Sequence, residues 1–196
     1  MMTRAQFLEP LARLRTDEIV VTTMGVVRPW GVLSDHPLDF ASADSAMGHA
    51  ADLALGLALA RPDRRVICLN GDGSMLMSLG TLVTIAHANA RNLLLFVVEN
   101  GTYEITGNQP LPGAGRTDFA GLARAAGITC VHRFADPQDY TGALPELLRE
   151  AGPVFVSVDV EPGTEGPIKR SAAEEVPCLR VSIADSARRL RAALMT

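Results

Sequence analysis

Cysteine is scarce in this chain: only Cys68, Cys130 and Cys178 among 196 residues, far apart and odd in number. Such a set argues against a disulfide framework and against a zinc or iron–sulfur centre, whose ligands come in closely spaced pairs. Aromatic residues make up 5% and tryptophan occurs once. There is no basic excess either. The 18 Lys+Arg face 22 Asp+Glu, a formal net charge of −4, so the electrostatic footprint of a nucleic-acid binder is missing. No apolar run is long enough to span a bilayer. The opening "MMTRAQFLEP" lacks the apolar stretch of a secretory signal, so a cytoplasmic location is the expectation. What is present is 47% hydrophobic residues against 20% charged ones, the composition of a chain that folds around a core.

The hydrophobic pattern alternates between two kinds of segment. "IVVTTM" (19–24), "VICLN" (66–70), "RNLLLFVVEN" (91–100), "ITCVHRF" (128–134) and "PVFVSVDV" (153–160) are short and almost continuously apolar, as strands covered on both faces are. Between them lie segments of helical spacing: residues 4–15, 46–60, 75–89, 118–127 and 136–152, with one more at 182–195. Met75, Leu79, Leu82, Val83 and Ala86 fall on one face of such a helix. Gly48 and Gly56 in "AMGHAADLALGLALA" each cost about 1 kcal/mol of helix propensity, tolerable where another backbone packs closely. "RPWGVLSDHPLDF" (28–40) is expected as loop with a short helix. Strand and helix alternate from residue 19 to 160, which predicts an α/β fold: a three-layer, doubly wound, mainly parallel sheet with helices on both faces. One domain over 1–196 is expected, its core about 17–160 and its C-terminal extension about 161–196.

One stretch asks for an explanation. "LNGDGS" (69–74) sets Asp72 between two glycines where an apolar strand ends. Asn-Gly and Asp-Gly are hairpin dipeptides, but a helical pattern follows at once, so Asp72 lies in a strand-to-helix turn. In open α/β sheets that edge binds ligands. Gly71 and Gly73 let backbone approach a ligand, and the amides of Gly73 and Ser74 suit a phosphate. Asp72 itself would repel one. A divalent cation removes the conflict, because Mg²⁺ joins one or two protein carboxylates to substrate phosphates. A second oxygen ligand is supplied one βαβ unit of about 30 residues further on, by Asn100 at the end of the next strand. Gly101 then turns the chain so that the carbonyl of Thr102 points inward. The alternative for "ENG" is a plain turn.

"GDGS" followed by "ENGTYE", with "SAMGHAADLALGLALA" upstream, resembles the signature of thiamine-diphosphate enzymes over about residues 17–160. "MGHAADLALGLAL" and "NGTYEITGNQP" are similar to the phosphonopyruvate and sulfopyruvate decarboxylases within that superfamily. The resemblance implies Mg²⁺ held by Asp72, Asn100 and the Thr102 carbonyl. It implies thiamine diphosphate held by Gly71, Gly73 and Ser74, with Thr23 and Gly25 on the other side. Ser45, Met47 and Tyr103 would shape the site around the thiamine, Met47 as the wedge that bends it. Met47 is otherwise a core filler, a role methionine suits. His49 is the candidate proton donor or substrate contact, or else a helix histidine facing a neighbour. Thr106, Asn108 and Gln109 are candidates for the substrate mouth. Arg116 would meet a sulfonate or phosphonate, or is a solvated loop arginine. The chain departs from the family in having Glu99 where an asparagine is usual.

The same resemblance implies something missing. In this superfamily a glutamate from a second, pyrimidine-binding domain activates the cofactor, and this chain is too short for both domains. It is therefore expected to be half of a split enzyme, like the β subunit of sulfopyruvate decarboxylase. A separate subunit would supply the glutamate, in a hetero-oligomer. The activity implied is decarboxylation of a small anionic 2-oxo acid to an aldehyde and CO2, with the cofactor's thiazolium as electron sink. An acetolactate-synthase-like carboligase subunit and a non-catalytic cofactor-binding module are the alternatives. A 2-oxoacid:ferredoxin oxidoreductase chain fits less well without clustered cysteines.

Overall fold

The computed structural model describes residues 1–44 and 47–195. In chain order the elements are α1 (Arg4–Leu14), β1 (Ile19–Thr22), α2 (Met24–Leu33), β2 (Asp39–Phe40) and α3 (Ala50–Ala60), then β3 (Val66–Gly71), α4 (Asp72–Met77), α5 (Thr81–Ala88) and β4 (Leu93–Glu99). A two-residue pair follows, β5 (Thr102–Tyr103) and β6 (Gln109–Pro110), and then α6 (Phe119–Ala125), β7 (Cys130–Phe134), α7 (Pro137–Leu147), β8 (Val154–Asp159) and α8 (Ile183–Ala193). Six strands form one parallel sheet in the order β2-β1-β3-β4-β8-β7, while β5 and β6 pair antiparallel apart from it.

Strand residues alternate between two cores, as period-2 geometry requires. Val20, Ile67, Leu69, Leu94, Phe96, Val98, Val154, Val156 and Val158 face α1, α2 and α7 on one side. Ile19, Val21, Val66, Cys68, Leu93, Leu95, Val97 and Phe155 face α3, α5, α6 and α8 on the other. On the first side the Phe7 ring meets Phe96 edge-on at 5.4 Å and Tyr140 lies 5.5 Å from Phe7. Each such pair adds about 0.5–1.5 kcal/mol beyond area burial. α3 is nearly all alanine and leucine, and its Ala50, Ala51, Ala54 and Ala58 are buried against the sheet, so its backbone can come close.

Three differences from the sequence pattern have physical causes. The short helix expected within 28–40 proves to be part of a longer one, α2, which starts at Met24, a residue expected in the preceding strand. Pro29 and Gly31 depress its helix propensity, but Val26, Val27 and Trp30 bury completely and decide the matter. Gly31 also sits against Cys178, where a Cβ would lie 2.5 Å from the sulfur. The helix expected over 46–60 begins only at Ala50. The helix expected over 75–89 starts earlier, at Asp72, and breaks into α4 and α5 around Ser78–Gly80. After β8 the chain has no regular element until a 3-10 turn at Pro177–Leu179. This strap runs along α2, where Arg28 pairs with Glu174 at 2.9 Å and with Glu165 at 3.2 Å.

Candidate functional site

From β1 the chain goes outward to β2, then returns to place β3 on the inner side of β1. That reversal makes the carboxyl ends of β1 and β3 a topological switch point, where doubly wound sheets open a crevice. A cavity of about 270 Å³ lies there. Its lining gathers Thr23 and Gly25 from beyond β1, Gly71, Asp72, Gly73 and Ser74 from the β3–α4 junction, Asn100, Thr102 and Tyr103 from beyond β4, and Met47. Sequence reasoning did not single out Arg4, Met24, Glu104 and Ile105, which line the same cavity; Thr106, a candidate for the substrate mouth, also lines it, as does Met77.

Asp72 is 3% exposed, and no cationic side chain among the described residues pairs with it. Its Oδ1 accepts the Gly73 N–H and its Oδ2 the Gly101 N–H, each at 2.7 Å. Burial pushes its carboxyl up to about 6, and the backbone N–H groups of Gly101, Gly73 and Asn100 only partly oppose this. Gly101 has a left-handed φ of +71°, which glycine adopts without strain and which redirects the chain just after this amide. Gly73 is a close approach: a Cβ there would stand 2.6 Å from Tyr103 Cε1 and 3.0 Å from Leu111 Cδ2.

The Asn100 side chain donates from Nδ2 to Glu104 Oε2 at 2.9 Å, and its Oδ1 accepts the Thr102 N–H at 3.1 Å. Glu104 is 4% exposed and holds the Arg4 guanidinium in a two-pronged pair from α1. Its Oε1 also accepts the Glu165 N–H of the strap at 3.0 Å. Burial raises the Glu104 carboxyl, but Arg4 and these donors outweigh it and hold the group below the usual glutamate range.

On the far wall, Ser74 Oγ accepts the Gly48 N–H at 2.9 Å, and Ser78 Oγ donates to the Gly48 carbonyl. Both ends of the Gly48 residue are thus pinned to α4, which fixes the turn carrying Met47. Met47 is 40% exposed at the cavity rim rather than buried as core filling. Ser45 lies outside the described residues. His49 does not line this cavity: its side chain is 74% exposed and pairs with Asp52 at 2.8 Å. It occupies the N-cap position of α3 without a capping hydrogen bond from its side chain, which turns instead to Asp52 in the first turn. Arg116, Asn108 and Gln109 are exposed and also absent from the lining. Glu99 faces a second cavity of about 250 Å³ on the other side of Asp72, where Ser157 donates to it from β8. Burial raises its carboxyl.

The residues present suit a cation and a phosphorylated group. Asp72 is a buried carboxylate without a counter-charge, and the hydroxyl of Thr23, also in the lining, is buried without a hydrogen-bond partner. The available donors are oxygens, the set a hard cation prefers. Among the described residues no three His, Cys, Asp or Glu cluster closely enough to cage a metal alone. That fits an ion completed by a ligand's own phosphates.

The comparisons with known proteins agree on the family. A family model described as thiamine pyrophosphate enzyme, C-terminal TPP binding domain, matches residues 34–158. The chain belongs to the thiamine pyrophosphate enzymes. It is 36% identical over 178 residues to the sulfopyruvate decarboxylase subunit beta of Methanothermobacter thermautotrophicus, covering 90% of this chain and 92% of that one. It is 36% identical over 196 residues to the phosphonopyruvate decarboxylase of Streptomyces viridochromogenes, spanning 99% of this chain but 47% of that protein. The fold matches the thiamine diphosphate-dependent 4-hydroxybenzoylformate decarboxylase of Rhodococcus jostii RHA1 with a TM-score of 0.64 at 23% identity, over 83% of this chain and 33% of that one. This thiamine pyrophosphate enzyme is thus homologous to thiamine-diphosphate-dependent decarboxylases, a beta subunit among them. No helix among the described residues is long and apolar enough to cross a membrane.

Proposed function

We propose that this chain is the diphosphate-binding subunit of a thiamine-diphosphate- and Mg²⁺-dependent decarboxylase acting on a small anionic 2-oxo acid of the sulfopyruvate or phosphonopyruvate kind. The observation that carries the reading is the buried, uncompensated Asp72 beside Asn100 at the β1/β3 switch point. Asp72, Asn100 and the Thr102 carbonyl would hold Mg²⁺. Thr23, Gly25, Gly71, Gly73 and Ser74 would surround the diphosphate, with Met47 and Tyr103 against the thiamine. When bound, the cofactor supplies an electron sink for the pair released as a 2-oxo acid loses CO2. The chain's own part is to bind, to orient and to exclude water. Met24, Val26, Val98 and Ile105 make the walls apolar, and a dry site strengthens the electrostatic hold on the diphosphate.

The homology to a subunit named beta supports a separate partner carrying the pyrimidine-binding domain and its activating glutamate. The site itself supports this too. The arginine in the cavity lining, Arg4, is already paired with Glu104. Recognition of the substrate's anionic end therefore falls to the partner.

The test is reconstitution. The chain is purified with the subunit that co-elutes with it, supplied with Mg²⁺ and thiamine diphosphate, and assayed on sulfopyruvate, phosphonopyruvate and pyruvate. The expected products are an aldehyde and CO2. A new carbon–carbon bond in place of free aldehyde would shift the reading to carboligation. Absence of cofactor binding by the complex would overturn it.

A further inference from the structure

We infer that Glu104 is a positioning residue that decides which end of the Asn100 amide faces the cation position beside Asp72. The inference rests on the reading that Asp72 and Asn100 hold a cation. An asparagine amide has an oxygen end that can ligate a cation and an NH2 end that repels one, and only its hydrogen bonds set the choice. Here Glu104 Oε2 takes the NH2 end at 2.9 Å. The Thr102 N–H takes one lone pair of Oδ1 at 3.1 Å and leaves the other available. Glu104 is itself held from two further sides, by both terminal nitrogens of Arg4 and by the Glu165 N–H. The orientation of one ligand is thus tied to the N-terminal helix and to the strap after the sheet. Partners of this kind behind a metal ligand typically contribute 10–100-fold to metal affinity.

The substitution Glu104→Gln is informative because it reverses the polarity at one atom. Arg4 can only donate, so it claims the new amide's oxygen. The NH2 of the new side chain is then left facing Asn100, which must turn its own oxygen to meet it and present NH2 to the cation. A compensating change follows. In the double variant N100D/E104Q the aspartate accepts from the glutamine and still offers oxygen to the cation, whichever way it turns.

The experiment titrates Mn²⁺, with thiamine diphosphate present, into the complex of the full chain with its co-eluting subunit, and follows it by electron paramagnetic resonance. Wild type is expected to take up Mn²⁺. E104Q is expected to lose about 10–100-fold in affinity, and N100D/E104Q to recover to within about threefold of wild type, on the same principle. N100D alone is the control: if Glu104 served only to seat Arg4, the added carboxylate would raise affinity by the same factor in wild type and in E104Q, whereas a positioning role predicts a larger gain in E104Q. Glu104→Asp keeps the charge for Arg4 but retracts from Asn100. It provides the test if E104Q does not fold, with a loss of several-fold expected. Equal Mn²⁺ affinity in wild type and in the folded Glu104 variants, or no recovery in the double variant, overturns the inference. Failure of wild type itself to bind Mn²⁺ points instead to the cation reading of Asp72 and Asn100, and takes this inference down with it.

Discussion

Gly73→Ala adds one methyl group at the closest approach in the site. That carbon would stand 2.6 and 2.8 Å from two atoms of the Tyr103 ring and 3.0 Å from Leu111 Cδ2. Ordinary carbon contacts need about 3.5 Å, so the ring must retreat by nearly 1 Å. The backbone of α4 cannot yield as easily, because Gly73 N–H is bonded to Asp72 and Ser74 Oγ to the Gly48 N–H. Tyr103 is half-buried on a two-residue strand paired only with β6, so it is the part that moves. Overpacking of this kind costs about 1–3 kcal/mol. Ala for Gly in a helix returns up to about 1 kcal/mol. The net loss should stay near 1 kcal/mol, a Tm drop of about 2–4 °C for a chain of this size. Thiamine diphosphate affinity should fall at least tenfold, about 1.4 kcal/mol, because the methyl and the shifted Tyr103 alter the cavity wall where the diphosphate is proposed to sit. Thermal melts and calorimetric titration of the reconstituted complex read the two quantities separately. Unchanged Kd with an unchanged Tm would show that Gly73 is not the close approach argued here.

Other consequences are equally open to measurement. Arg15→Ala breaks a buried ion pair with Asp39, 3.0 Å long, that anchors the edge strand β2; stability should fall by about 3–5 kcal/mol in a denaturant melt, and a loss below about 1 kcal/mol on the same scale would remove the pair from the account. His36 is held neutral mainly by burial and secondly by Arg15, with its Nδ1 accepting the Leu38 N–H at 3.1 Å. A histidine whose folded pKa is depressed contributes stability that is present above its unfolded value near 6.5 and lost as pH falls through the folded value. His36→Asn keeps the acceptor without the titration, so the wild-type deficit below about pH 6.5 should shrink in the variant; identical pH–stability curves would contradict this.

The legible parts of this protein are those where local signals coincide. β3, β4 and β8 were visible because strands buried on both faces have no polar interruptions, and Asp72 was visible because a charge at the end of such a strand, between glycines, has no local reason to be there. Asn100 followed from the length of a βαβ unit. Only a short helix within 28–40 was legible of α2, since Pro29 and Gly31 argue against the full length that the burial of Trp30 and its neighbours enforces. The strand order was not legible either. It depends on which faces meet across distant segments, and with it the placement of Thr23 opposite Gly71. Arg4 and Glu104 stand a hundred residues apart and carry no motif that links them. Ser78 reads as an ordinary helix residue until its bond to the Gly48 carbonyl is seen. Proximity to Met47 in the chain does not place His49 in the cavity lining: it sits at the start of α3, while Met47 lines the cavity.

The buried carboxylate at the tip of β3 is proposed to grip a cation that in turn holds a diphosphate. Calorimetric titration of Mg²⁺ and thiamine diphosphate into the reconstituted complex, wild type beside Asp72→Ala, tests it most directly. Wild type is expected to show saturable, Mg²⁺-dependent cofactor binding, and a variant whose circular dichroism spectrum is unchanged none. Wild-type affinity in the folded Asp72→Ala protein would contradict it.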